Sequence, residues 1–349
     1  MMKKLNFIIL LIILIVFILP GCVSRPYEEK PLFTPLNPVN YGIKSIYSYT
    51  IKNPIEGTNV QILSRLNDIK SNNIKTNFQA PKKIENNLYS IPKDSNLWIE
   101  IYWLDYNDAS WKRNQTIQPD GYIVYRSFDG IDYTKIATTT SGLYIDYSSD
   151  LEINKKTWYG VSSYKGDEES SLVKLGSALP LDTFNVRLVS PYDNQLDVTV
   201  QPTFVWEPTK KLISPESNVE YHYTMAIYDL IQSSNYIYPV FEESNQRYYY
   251  DFKTVGANQV AVTFKGSQGS PEYNNLKWVL ISENGVHFYS TNLLEEGKTY
   301  DWGVDYAYAI AYDIDSISYS IAIDTGFNIS PKGDIMPEKQ NEFTTKTSE

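Results

Sequence analysis

Few of the residues that commonly carry out catalysis occur in this chain, and their spacing forms no catalytic motif. The 349 residues include one cysteine and two histidines, His222 and His287. Both histidines lie in alternating apolar runs, which is typical of residues on a strand face rather than of bases or metal ligands. No G-x-S-x-G, P-loop or H-E-x-x-H motif occurs. We therefore expect no enzymatic activity, no catalytic residue and no cofactor.

Carboxylates are the remaining groups that could do chemistry. Asp105-Tyr106-Asn107-Asp108 offers oxygen ligands of the kind calcium prefers, but lacks the glycine and the glutamate of an EF-hand loop. Asp313 and Asp315 would lie on one face of a strand. A solvated loop is the simpler interpretation, so we predict no metal site, and the sequence leaves calcium binding open.

The composition excludes several classes of protein. The chain carries 31 Lys+Arg against 41 Asp+Glu, a formal net charge of −10, whereas a nucleic-acid binder needs clustered basic residues. A single cysteine excludes a disulfide framework within the chain. Hydrophobic residues make up 42% of the sequence, which is enough to bury cores. We expect a folded protein that does not bind nucleic acid.

Tyrosine is unusually abundant, with 30 Tyr against 17 Gly. Tyrosine favours β-strands, and its apolar ring with a polar tip also suits binding surfaces. Several tyrosines cluster in the second half of the chain, where flat rings could stack on sugars or pack against a protein. The predicted binding residues are Tyr236, Tyr238, Tyr248, Tyr249, Tyr250, Tyr306 and Tyr308.

The amino terminus has the pattern of an export signal. Lys3 and Lys4 precede 13 apolar residues, from position 7 to 19, which is shorter than a typical membrane-spanning helix. The run Leu19-Pro20-Gly21-Cys22 that follows resembles the lipobox of bacterial lipoproteins. The resemblance implies a signal peptide at residues 1–21, and diacylglyceryl and acyl (palmitate-like) chains on the new terminus at Cys22. The alternative is an uncleaved anchor helix.

Residues 22–42 contain four prolines and no apolar periodicity, which predicts an extended Pro-rich tether. Residues 43–79 are ambiguous, with a short strand near position 46 and a helix at residues 59–70 as the patterns that fit. The apolar positions Val60, Leu63, Leu66 and Ile69 mark one face of that helix.

Residues 80–180 show the alternation and regular turns of an all-β sandwich. Asp129-Gly130 predicts a tight turn between the strand that begins at Gly121 and its return strand. With the core residue Trp103 and the spacing of Ile153 and Tyr159, this segment resembles a bacterial fibronectin type III domain. The resemblance implies a tyrosine corner in which the Tyr159 hydroxyl bonds backbone at the sandwich end.

Residues 181–349 repeat the scheme. Trp206 resembles the core tryptophan, and the run from Leu294 to Trp302 resembles a tyrosine corner at Tyr300. The interval between Trp206 and Tyr300 is longer than that between Trp103 and Tyr159, and Asn284-Gly285 inside it predicts an added hairpin. We expect a second, expanded fibronectin type III-like or immunoglobulin-like sandwich in tandem with the first.

Taken together, the patterns predict a non-enzymatic protein exported and lipid-anchored to a bacterial membrane, at the outer membrane or cell surface. Removal of residues 1–21 would take away Lys3 and Lys4 and leave a net charge of −12. The expected role is surface interaction, adhesion or scaffolding, with an envelope protein or glycan as partner. The alternative is a carbohydrate-binding surface lipoprotein that uses the tyrosine faces of the second domain.

Overall fold

The computed structural model describes residues 30–51, 96–229, 236–238, 241–243, 246–248, 250–263, 272–273, 277–280, 294–322, 327–329, 335–337 and 341–347. This part of the chain consists of strands, loops and two short 3-10 turns, at Pro38–Tyr41 and Ser110–Lys112. The all-β prediction is therefore confirmed. No helix in the described ranges is long and apolar enough to span a bilayer. The predicted signal peptide, Cys22 and the predicted helix at 59–70 lie outside these residues.

Eight strands are described before residue 180. They are β1 (Ile46–Ile51), β2 (Leu97–Tyr102), β3 (Gly121–Ser127), β4 (Thr134–Thr139), β5 (Leu143–Asp146), β6 (Thr157–Lys165), β7 (Glu168–Glu169) and β8 (Val173–Ala178).

Sixteen further strands are described after residue 180. They are β9 (Val186–Ser190), β10 (Gln195–Val198), β11 (Thr203–Pro208), β12 (Glu220–Asp229), β13 (Tyr236–Tyr238), β14 (Phe241–Glu243), β15 (Gln246–Tyr248), β16 (Tyr250–Val255), β17 (Val260–Thr263), β18 (Glu272–Tyr273), β19 (Lys277–Leu280), β20 (Thr299–Tyr312), β21 (Ser316–Ala322), β22 (Phe327–Ile329), β23 (Ile335–Pro337) and β24 (Asn341–Thr345).

The first sandwich packs strands β1, β2 and β5 against a sheet of β3, β4, β6, β7 and β8. Alternation along β2 sends Leu97, Ile99 and Ile101 into this core, because successive strand residues face opposite sides. The opposing sheet contributes Tyr122 and Val161. The predicted hairpin is present: β3 pairs antiparallel with β4, and Gly130 in the turn has a φ of +75°.

The second sandwich packs strands β12, β20 and β24 against a sheet of β9, β11, β17 and β18. Its core holds Trp206 and Phe204 from one sheet and Tyr223, Trp302 and Phe343 from the other. The short ribbons β14–β15 and β22–β23 lie outside these two sheets in the pairing scheme.

One sheet is common to both sandwiches. Its strand order is β19-β16-β12-β20-β21-β1-β2-β5, with β10, β13 and β24 joined to it off that path. The link is the parallel pairing of β1 with β21, in which Tyr49 lies beside Tyr319. The sheet therefore crosses the predicted domain boundary near residue 180, and it recruits β1 from the segment 43–79 that the sequence left ambiguous.

Small polar side chains occupy the join between the two sandwiches. The Ser48 hydroxyl donates to Ser318 Oγ at 2.8 Å, and Ser318 Oγ donates to the Leu179 carbonyl at 2.9 Å. Ser45 Oγ donates to the Leu175 carbonyl at 2.8 Å. These serines are buried and fully engaged, as buried hydroxyls must be to avoid a desolvation penalty. They let the backbones of the shared sheet and of β8 approach closely.

Residues 30–42 differ from the predicted tether. The Phe33 ring is buried in the first core, its N–H donates to the Ile117 carbonyl at 3.0 Å, and Leu36 exchanges both backbone hydrogen bonds with Leu104. Asn37 Nδ2 donates to the carbonyls of Lys174 and Leu175. Proline lacks an N–H and so prevents a regular strand here, but the intervening residues still pair. The tether interpretation is wrong for this part of 22–42.

Candidate functional site

The predicted binding tyrosines are spread over several strands of the second half. Tyr236 and Tyr238 lie in β13, Tyr248 in β15, Tyr250 in β16, and Tyr306 and Tyr308 in β20, whereas Tyr249 lies outside the described residues. Strands β13 and β16 both pair with β12, so three of these tyrosines lie at the end of the shared sheet far from β5. Of the seven side chains, only that of Tyr308 is described.

Tyr308 does not offer an open ring to a ligand. Its side chain is 6% exposed, and its ring stacks on that of His222 with centroids 4.5 Å apart and planes 9° from parallel. His222 faces it from the neighbouring strand β12 and is also buried. The prediction of Tyr308 as a surface binding residue is therefore wrong, because the sheet register places its ring inside the molecule.

Tyr308 instead belongs to an aromatic ladder that crosses five strands of the shared sheet. We define the ladder as Trp98, Tyr49, Tyr319, Tyr308 and His222, on strands β2, β1, β21, β20 and β12. Trp98 stacks on Tyr49 at 5.1 Å and Tyr49 on Tyr319 at 5.2 Å, with interplanar angles of 17° and 4°. Tyr319 and Tyr308 are 6.4 Å apart.

Register alone creates this ladder. Tyr49 is paired directly with Trp98 on one side and with Tyr319 on the other, and His222 with Tyr308. Directly opposed residues in a sheet have their side chains about 5 Å apart, which is the distance at which aromatic rings attract. Because Tyr49 and Tyr319 are remote in sequence, local pattern reasoning could mark each strand face but not the ladder.

A polar group lies beside the ladder on the same face. The Tyr102 hydroxyl donates to Glu100 Oε2 at 2.8 Å, and both residues are buried in β2. Burial raises the pKa of Tyr102 well above its ordinary value, and the Glu100 carboxylate raises it further. The same two causes raise the pKa of Tyr47. Both phenols therefore keep their protons and remain hydrogen-bond donors at neutral pH.

The ladder stabilises the fold and does not form an exposed binding surface. Its members are at most 6% exposed, so no ring face is available for stacking on a sugar. Each stacked pair contributes about 0.5–1.5 kcal/mol beyond its burial. The ladder runs from β2 and β1 of the first sandwich, through the linking strand β21, to β20 and β12 of the second, so it ties the two together.

The two predicted core tryptophans lie in the two cores. Trp103 is 2% exposed in the first, and Trp206 is fully buried in the second. The predicted corner at Tyr300 has the expected chemistry, since its hydroxyl accepts the Glu295 N–H at 2.9 Å. A comparable contact that the sequence analysis missed involves Tyr221, whose hydroxyl accepts the Leu212 N–H at 2.6 Å.

Tyr159 departs from the expectation of a backbone contact. Its hydroxyl donates to Asp146 Oδ2 at 2.9 Å, and the same oxygen accepts Arg126 Nη1 at 2.9 Å. Arg126 also pairs with Asp150, and its guanidinium lies 4.8 Å from the centre of the Phe128 ring. Burial raises the pKa of Tyr159 well above its ordinary value, and Asp146 raises it further. The corner of the first sandwich is thus a buried ionic network.

The carboxylates of Asp105 and Asp108, which the sequence suggested as calcium ligands, accept backbone hydrogen bonds. Asp105 Oδ1 accepts the backbone N–H of Asn107 at 2.7 Å and that of Asp108 at 3.0 Å. Asp108 Oδ2 in turn accepts the Asp105 N–H at 3.2 Å. These are the contacts of a tight Asx-type turn. Among the described residues no group of three His, Cys, Asp or Glu side chains is placed to hold a metal.

An exposed aromatic pair lies next to that turn. Trp111 is 51% exposed and Tyr41 is 44% exposed, and their ring centroids are 6.1 Å apart. No periodicity or motif in the sequence marks this pair, although a lone tryptophan in the polar run Ser110-Trp111-Lys112-Arg113 is a detectable signal. The pair forms only because residues 38–41 fold back as a 3-10 turn on the first sandwich.

Comparisons with known proteins concern the fold only. No protein-family description and no curated protein matches this sequence. The FN1–FN3 domains of chicken CNTN1 are a similar solved structure, at 10% identity, covering 91% of this chain and 67% of that one, with a TM-score of 0.31. The chicken interferon gamma receptor alpha chain is another, at 9% identity, covering 71% of this chain and 92% of that one, with a TM-score of 0.22. The all-β sandwich fold itself rests on the strands and cores described above.

Proposed function

We propose that this chain is a non-enzymatic, lipid-anchored protein of a bacterial cell envelope, exported and held at the outer membrane or cell surface through Cys22. The observation that carries the proposal is the run Leu19-Pro20-Gly21-Cys22 directly after an apolar segment of signal-peptide length. Two or more acyl chains give stable anchoring where a single chain does not.

The anchoring test compares two full-length variants. Cys22→Ser is expected to abolish incorporation of labelled fatty acid. Ser24→Ala, which leaves the lipobox intact, is the matched control and is expected to behave as wild type. Unchanged lipid labelling in Cys22→Ser would contradict the anchor.

The role that we propose for the anchored body is surface interaction, adhesion or scaffolding, with an envelope protein or glycan as partner. The shared sheet supports this role, because its hydrogen bonds and the aromatic ladder join both sandwiches into one rigid unit. A rigid unit holds the surfaces of the two sandwiches in a fixed arrangement relative to each other, so that both can contact one partner.

The alternative is carbohydrate binding by the second domain. The observation that favours it is the concentration of Tyr236, Tyr238 and Tyr250 in strands at one end of the shared sheet. Binding of the full chain to a glycan array, lost in a Tyr236→Ala/Tyr238→Ala variant that still unfolds at the wild-type temperature, would favour this function. Specific cross-linking to one envelope protein, without array binding, would favour the first.

A further inference from the structure

The exposed aromatic pair lies at the end of the molecule where the proposed anchor enters. The first described residue, Lys30, is only eight residues after Cys22, and eight residues span at most about 29 Å. From there the chain is fixed to the first sandwich, since the Pro31 carbonyl accepts the Ile117 N–H at 2.8 Å. Ile117 closes the same loop that carries Trp111. An anchor at Cys22 therefore confines this loop to the neighbourhood of the bilayer.

The charge around the pair differs from that of the rest of the molecule. The chain as a whole carries −10, but the loop from residue 106 to 117 contains Lys112 and Arg113 against the single acid Asp108. Lys30, which is exposed, adds a third cation next to the start of this surface, but Glu28 and Glu29 directly precede it in the sequence, so the excess of positive charge is confined to the loop. The local excess of positive charge is complementary to anionic lipid headgroups, which repel the acidic remainder.

Side-chain contacts hold the loop in a defined shape, and this shape keeps Trp111 exposed to solvent. Arg113 Nε donates to the Tyr106 carbonyl at 3.2 Å, and its guanidinium lies 5.8 Å from the centre of the Tyr106 ring. The Tyr106 ring in turn packs edge-on against the buried Phe33 at 5.5 Å. The loop is thus clamped to the part of the chain that leads to Cys22.

We propose that Tyr41, Trp111, Lys112 and Arg113 form a membrane-contact patch that rests on the headgroup region of the bilayer to which the protein is anchored. The inference rests on the proposed lipid anchor. Tryptophan and tyrosine partition to the membrane–water interface because their rings are apolar and their polar tips can stay hydrated. The flanking cations pair with anionic headgroups. The patch would fix the tilt of the rigid body above the membrane, which an acyl anchor alone does not do.

The single cysteine makes a direct test available, because lipidation of Cys22 leaves no other thiol in the chain. A polarity-sensitive dye is attached to Asn114→Cys, in the patch loop, or to the control Ile213→Cys, which is exposed on the second sandwich. Both lipidated full-length proteins are reconstituted in phosphatidylglycerol/phosphatidylethanolamine vesicles. We expect the dye at 114 to be at least about twofold less accessible to aqueous iodide than the dye at 213 and to emit at shorter wavelength.

A second set of variants assigns the effect to the patch. Tyr41→Ser/Trp111→Ser in the Asn114→Cys background is expected to raise iodide accessibility to the level at position 213. Equal accessibility at 114 and 213 in protein that floats with the vesicles would overturn the patch and leave the anchor standing. Failure to float would contradict the anchor and the patch together. Protection of 114 in Cys22→Ser protein without vesicles would assign the surface to a protein contact and also overturn the inference.

Discussion

The corner tyrosines of the two sandwiches are held by different kinds of hydrogen bond. In the first, the corner residue Tyr159 donates to Asp146, which also pairs with the buried Arg126. In the second, the hydroxyl of the corner residue Tyr300 accepts a backbone N–H from Glu295, and Lys298 Nζ lies 5.6 Å from the centre of its ring. Both tyrosines are at most 1% exposed, and each lies two residues before a core residue, Val161 in the first sandwich and Trp302 in the second.

The difference has a physical consequence for stability. A buried ion pair gains little over apolar packing as long as it is intact, but removal of one partner leaves an uncompensated charge in the interior. A neutral hydroxyl bonded to a backbone amide costs much less to remove. The first sandwich should therefore be the more sensitive of the two to single substitutions at its corner.

The largest effect is expected for Asp146→Ala. This change leaves the Arg126 guanidinium, whose side chain is 9% exposed, with only the exposed Asp150 as an ionic partner, and leaves the Tyr159 hydroxyl without its acceptor. We expect a loss of about 3–5 kcal/mol in the free energy of unfolding, measured by denaturant titration.

An apolar replacement of the whole network is the matched control for that variant. Arg126→Met/Asp146→Leu/Tyr159→Phe removes the charges and the hydroxyl together, so no buried polar group is left unpaired. The triple variant should recover at least half of the free energy of unfolding that is lost in Asp146→Ala. A midpoint for Asp146→Ala close to that of the wild type would show that the network does not stabilise the first sandwich.

The next largest effect tests whether the two sandwiches unfold together. Gly176 in β8 has a φ of +127°, and a Cβ there would lie 2.4 Å from the Asp315 side chain of the second half. Gly176→Ala therefore combines backbone strain with a clash at the join, and we expect it to cost about 2–3 kcal/mol. Gly166→Ala is the control, since its φ is +56° with no atom within 4 Å, and should cost only about 1 kcal/mol.

The readout that matters for Gly176→Ala is the shape of the transition. If the shared sheet makes one cooperative unit, near-UV signals from both cores shift together. A transition that splits, with the second sandwich unfolding at its wild-type midpoint, would show that the sandwiches are energetically independent despite the common sheet.

Structural features that depend on neighbouring residues could be predicted from the sequence, whereas pairings between distant strands could not. Alternation and Asp129-Gly130 were sufficient for β3, β4 and their turn, because those signals lie within a few residues. The pairing of β1 with β21 depends on residues far apart in the chain, so neither the shared sheet nor the aromatic ladder could be predicted from periodicity.

The remaining errors have separate physical causes. The four prolines between 26 and 38 suggested a tether, yet Phe33 supplies enough apolar surface to dock that segment. Tyr308 was predicted to bind a ligand because tyrosine suits binding surfaces, but its ring is buried and stacked on His222. For the remaining binding tyrosines, Tyr236 through Tyr306, the surface role stays a prediction.

A direct comparison of the two corners is given by Tyr159→Phe and Tyr300→Phe. Loss of a hydroxyl bonded to a carboxylate costs about 1.5–3 kcal/mol, whereas loss of one bonded to a neutral backbone group costs about 0.5–1.5 kcal/mol. We therefore expect Tyr159→Phe to lower the free energy of unfolding more than Tyr300→Phe does. Equal losses in denaturant titration would mean that Asp146 contributes no more to its tyrosine than a backbone amide.

The smallest effect, confined to the second sandwich, depends on pH. Asp301 in β20 is paired across the sheet with Glu342 of β24 and lies near Asp193. Burial, then the two neighbouring carboxylates, raise the pKa of Asp301 to about 6, above the value of about 3.9 expected in the unfolded chain. The folded state thus binds more protons than the unfolded state between about pH 4 and 6, so stability falls as pH rises through this window.

Asp301→Asn removes that penalty without changing the shape of the side chain. Because Asp301 is only half-buried, solvent screening reduces the gain, and we expect about 1 kcal/mol at pH 7.5. The gain should decline through pH 6 and vanish near pH 4, where Asp301 is protonated in the folded protein. Asp167→Asn, at an exposed turn, is the control for loss of one negative charge. A gain for Asp301→Asn that is constant from pH 4 to 7.5 would show that ionisation of the half-buried Asp301 carboxyl is not its source.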